Sequence, residues 1–130
     1  MNVGLFEEIP LHIYPFPIFF SIGQEDDDFI ASLTDVGITL PDSFIEDKGY
    51  YAKVWTSQNA EIVFRVKTYP TTYYEIGAIS HDAFHCVCSA MKLAGGWLED
   101  ASEESYAYLL GYIVAQITEK YSEKLHEVKQ

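Results

Sequence analysis

Large apolar and polar side chains alternate over residues 50–56 and again over 61–67, on either side of Ser57-Gln58-Asn59. Strict alternation around a polar turn predicts a β-hairpin. In the second arm Ile62, Phe64 and Val66 share one face while Glu61, Val63, Arg65 and Lys67 share the other, which predicts a strand with one covered side. Residues 11–20 are rich in β-branched and aromatic side chains, but Pro15 and Pro17 confine them to an edge strand or an irregular extended piece. The acidic run 25–28 reads as a solvated turn capping a short helix at 29–33. It lacks the alternating oxygen ligands, central Gly and closing Glu of an EF-hand calcium loop. Residues 37–48 read as loop, with Pro41 and Asp42 as turn residues.

The period then changes. Thr72-Tyr73-Tyr74-Glu75 fits a capping box and predicts a helix to about Leu93, where Gly95-Gly96 supply a left-handed stop. Asp100 or Ser102 caps a second helix running to about Leu125, with Leu110, Val114, Ile117 and Tyr121 at spacings of three and four. Extended pieces and a hairpin followed by two helices predict an α+β fold: a small N-terminal antiparallel sheet packed by two C-terminal helices against one face. Trp55 and Trp97 are expected to anchor the core.

A length of 130 residues suits one domain over 1–130. Twenty acidic against eight basic residues give a formal net charge of −12, which repels nucleic-acid backbones and anionic lipid and excludes direct binding to either as a primary role. Two cysteines, Cys86 and Cys88, offer no disulfide framework, and Glu7 and Glu8 stand where a secretory signal carries basic residues. A cytoplasmic location is therefore expected.

Candidate chemistry gathers in the first long helix. His81 and His85 lie four apart, so both imidazoles fall on one helical face and can chelate one ion. His81-Asp82-Ala83-Phe84-His85 differs by one methylene from the HExxH motif, in which the acid is general base beside zinc. A third ligand is expected from Glu104, nineteen residues past His85, on a face shared with the small residues Ala107, Gly111 and Ala115. Glu103 points about 100° away and suits a capping role better. Cys88, on the face of the two histidines, is an alternative third ligand, though free cysteines are usually small buried hydrophobes. Cys86 has no cation or helix start near it to lower its pKa.

Through residues 77–85 and 103–112 the sequence resembles zincin metallopeptidases of the gluzincin type, in a minimal form similar to small peptidase-like proteins encoded by phages and mobile elements. The resemblance covers about the last sixty residues. It implies a zinc cofactor held by His81, His85 and Glu104, with Asp82 as general base for a metal-held water that attacks a peptide bond. It also implies a sheet edge beside the metal for an extended peptide or protein substrate. Two positions depart from the family pattern. Asp82 replaces Glu and draws the base back by one C–C bond, where a shift of about 1 Å costs roughly a hundredfold in rate. Tyr108 stands where some members carry an acid, and its hydroxyl is a candidate oxyanion donor. The resulting expectation is a zinc-dependent metallopeptidase-like protein with weak or lost catalysis. A non-catalytic acidic decoy that binds a basic partner is the alternative.

Overall fold

The computed structural model describes residues 4–12, 14–57 and 59–129. Four strands, β1 (Leu5–Ile9), β2 (Ile18–Ile22), β3 (Ala52–Thr56) and β4 (Ile62–Val66), form one sheet in the order β1-β2-β4-β3. The helices are α1 (Asp26–Asp35), α2 (Asp42–Glu46), α3 (Tyr73–Leu93) and α4 (Glu103–Lys129). The protein is α+β, with an N-terminal sheet and helices packed against it.

The hairpin forms as the alternation predicts, β3 antiparallel to β4 with Val54 opposite Phe64; Gln58 of its turn lies outside the described residues. The sheet is mixed rather than purely antiparallel, because β4 also runs parallel to β2. Residues 11–20 do not form an edge strand. Their strand begins only at Ile18, immediately after Pro17, so no proline removes a donor from its ladder, and it sits centrally between β1 and β4. The edge on that side is β1, where the adjacent Glu7 and Glu8 break the alternation that marks a strand in sequence.

Both sheet faces are covered, which corrects the expectation of one. On one face α3 and α4 bury Ile18, Phe20, Ile22, Ile62, Phe64 and Val66, with Phe20 and Phe64 meeting edge to face at 5.5 Å. On the other, α1 and α2 bring Phe29, Leu33 and Phe44 over Val63, with Phe19 and Trp55 beside them. Strand β4 is consequently buried at every position, Arg65 included. The segment expected as loop contains α2, a single turn whose Phe44 is buried. Helix α1 starts at Asp26, earlier than expected, and Glu25 makes no side-chain cap.

Helix α3 has the expected bounds. Thr72 Oγ1 accepts from the Glu75 N–H at 3.1 Å, and the Glu75 carboxylate reaches back to accept from the N–H of Thr71 at 2.9 Å. At the far end Gly95, at φ +83°, donates to Lys92 O, and Gly96 donates to Met91 O. Helix α4 begins at Glu103 and continues to Lys129, past the expected end. Ser102 O accepts its first N–H bond, from Tyr106, while Ser102 Oγ is turned back to Trp97 O. Trp97 is not a core anchor: it is 71% exposed in the link between the helices. No helix among the described residues is long and apolar enough to cross a membrane.

Candidate metal centre

Helix α3 lies over β3 and β4 and buries Ile79, Ala83, Cys86, Val87 and Ala90 against them. The helical period fixes what remains: His81 and His85 emerge on the side away from the sheet, both exposed, and Asp82 on a flank, half-buried. His81 Nε2 and His85 Nε2 are 3.2 Å apart, with the rings edge to face. Two imidazole lone pairs at that separation repel unless a proton or a cation lies between them. Zinc–nitrogen bonds of about 2.0–2.1 Å at tetrahedral angles place neighbouring ligand nitrogens about 3.3 Å apart, so the pair already has the bite of a chelate.

Asp82 completes the cluster. A carboxylate oxygen of Asp82 and one nitrogen from each histidine all lie within 4.8 Å of one another, and the three residues could hold a metal ion. Burial pushes the Asp82 carboxyl above its ordinary pKa, and the nearby His81 and His85 oppose that rise. A metal cation would reverse the balance in favour of the carboxylate.

Beside the cluster runs a groove of about 420 Å³ between α3 and strand β3, with Asp82, His85, Ser89 and Lys92 on the helix side and Val54 and Thr56 on the strand side. Thr56 Oγ1 donates to Ser89 Oγ at 2.8 Å and ties the strand end to the helix. Strand β3 is terminal in the sheet, so its outer edge borders this groove with main-chain groups unpaired by any strand among the described residues.

The structure does not bring the second helix into the site. Glu104 is exposed and does not belong to the metal-capable group, and Glu103 is exposed as well. The stripe expected to face α3 with Glu104 faces solvent instead: Ala107, Gly111 and Ala115 are all exposed, while Tyr106, Ile113 and Ile117 are buried. The reason is the phase of α4. Its large apolar residues, rather than its small ones, turn toward the sheet, carrying Glu104 to the outer side. Tyr108 is 74% exposed and lines a different cavity, with His12 and Tyr112. Cys88 lines the groove, with its thiol pKa raised by burial, and is not in the cluster; Cys86 is fully buried and its thiol is pushed well up. No local pattern in the sequence pairs Ser89 with Thr56. Only the α3–β3 packing joins residues so far apart, although Ser89 does share the Asp82 flank at i+7.

No family model, curated protein or solved structure matches this chain.

Proposed function

We propose that the protein is a zinc-dependent hydrolase of the metallopeptidase kind, acting on an extended peptide laid along β3. The observation that carries this reading is the convergence of the two Nε2 atoms, 3.2 Å apart, with the Asp82 carboxylate. It stands at the mouth of a groove bounded by an open strand edge.

His81 and His85 bind the ion, and their exposed position leaves it accessible to substrate. Zinc supplies a Lewis acid that polarises a carbonyl and makes water more acidic. Asp82 accepts the proton of the attacking water. The β3 edge offers N–H and C=O groups to the peptide main chain, as in strand addition. A cytoplasmic setting belongs to the same proposal, supported by two free cysteines, one buried and one half-buried.

Zinc analysis of protein purified without chelator, paired with hydrolysis of a mixed peptide library, tests the proposal. About one zinc per chain is expected, lost in His81→Ala and weakened in Asp82→Asn, with turnover lost in both variants. A chain that takes up no zinc even after supplementation overturns it.

A further inference from the structure

Between the turn that follows β1 and the first turns of α4 lies a cavity of about 320 Å³, and no residue lining it also lines the groove beside His85. Its walls are aromatic: His12 and Tyr14 from the turn, Tyr108 and Tyr112 from α4, with Leu11 and Leu109. The helical period sets Tyr108 and Tyr112 one turn apart on the same face. Tyr112 Oη donates to Pro10 O at 2.6 Å and lies 3.0 Å from His12 Nε2, so phenol and imidazole meet edge to face with centroids 5.3 Å apart. Tyr14 stacks on Phe16 at 5.6 Å, and its hydroxyl donates to Met91 Sδ at 3.3 Å. His12 stands at φ +54°, left-handed backbone that a residue with a side chain seldom adopts, and the Tyr14 N–H closes the turn onto Leu11 O. These contacts hold the rings in place before any ligand arrives, which lowers the entropic cost of binding.

Neither wall brings a lysine or arginine. None occurs in residues 1–47 or 93–119, the stretches that supply the lining, while Glu104 lies one turn before Tyr108. The lysines flanking the second stretch are engaged elsewhere: Lys120 reaches Glu7 at 3.8 Å, and Lys92 lines the groove beside His85. The chain's own cations stack on Phe29, Phe44 and Tyr50, and among the described residues none stacks on Tyr14, Tyr108 or Tyr112. Aromatic faces carry the negative lobe of the ring quadrupole, so an aromatic cavity in a molecule of net charge −12 attracts a cation and repels an anion. No carboxylate lines it among the described residues. A primary ammonium is strongly hydrated and would give up its water there without an ionised acceptor. A quaternary ammonium has no N–H to satisfy and presents methyl groups to the apolar walls.

We propose that this cavity binds a trimethylammonium group, free as in choline or carried on a methylated lysine side chain, with His12, Tyr14, Tyr108 and Tyr112 as its aromatic walls. Ser105, which also lines the cavity, adds a hydroxyl for the polar end of such a molecule.

Titration of the full ¹⁵N-labelled chain with choline, at constant ionic strength, tests the site against the neutral carbon isostere of choline, in which a tert-butyl group replaces trimethylammonium. Saturable shifts of the amides of residues 11, 12, 14 and 105–112 are expected with choline, and binding of the neutral alcohol should be weaker by about fivefold or more. Tyr108→Leu, a change at a largely exposed side chain, should weaken choline binding by about threefold or more, whereas Tyr108→Phe, which keeps the ring, should leave it within about twofold. The comparison of choline with the neutral alcohol on the unaltered chain stands whether or not the Leu variant folds. Tighter binding of N-acetyl trimethyllysine amide than of choline identifies methylated lysine as the source, and the reverse order a small free cation. Absence of saturable shifts, equal affinity for choline and the neutral alcohol, or unchanged affinity in folded Tyr108→Leu overturns the proposal.

Discussion

His85 Nε2 lies 3.2 Å from His81 Nε2, one helical turn away on the same exposed face of α3. A divalent ion that joins them bridges one turn of the folded helix and has no such pair to bind in the unfolded chain. Zinc at a hundred times its Kd is therefore expected to stabilise the protein by about 2.7 kcal/mol. For a chain of this size that corresponds to a rise in Tm of several degrees, measured by scanning calorimetry. His81→Ala should abolish the rise.

Glu104 makes the contrasting case. Exposed on the outer side of α4 and outside the metal-capable group, it is expected to leave the zinc-induced rise in Tm intact when changed to Ala. A loss of the rise equal to that of His81→Ala would mean that α4 supplies a ligand after all. Calorimetry of the two variants side by side decides this.

Asp26 carries a pH dependence whose sign is set by its partners. Hydrogen bonds from Lys48 and then Arg65 hold its carboxyl below the ordinary range. A depressed folded-state pKa adds stability that is present above the unfolded value of about 3.9 and is lost as pH falls through the folded value. The group is half exposed, so solvent screening limits the gain to below about 1 kcal/mol. Urea unfolding of wild type and Asp26→Asn should show a stability gap that is widest near neutrality and closes in acid below about pH 4. Asp47 and Glu75 are depressed as well, so each protein by itself still weakens in acid, and the difference between them isolates Asp26.

Phe64 joins the helical layer to the sheet. It is fully buried at the centre of β4, against Phe20, and Phe64→Ala should cost about 3–5 kcal/mol in urea unfolding. Thr72→Ala, which removes the cap accepting from Glu75 N–H, should cost only about 1 kcal/mol in the same measurement.

Gly95 offers a backbone effect free of packing. It sits at φ +83° with no atom within 4 Å of a would-be Cβ, so Gly95→Ala tests conformation and nothing else. A loss of about 1 kcal/mol is expected, with the bounds of α3 unchanged by hydrogen exchange.

Local chemistry was legible in the sequence wherever a signal repeats over short range. The alternation at 61–67 located β4, Thr72 with Glu75 located the start of α3, Gly95 its end, and the i, i+4 spacing of His81 and His85 placed both rings on one face. These features depend on backbone period and capping, which a few neighbouring residues dictate. The parallel pairing of β2 with β4, the second covered face of the sheet and the rotation of α4 that turns Glu104 outward were decided by the tertiary structure. Each depends on which large side chains compete for the same buried space. For the same reason Arg65 reads in sequence as one polar residue on an open strand face, and becomes a buried guanidinium once α1 closes over it.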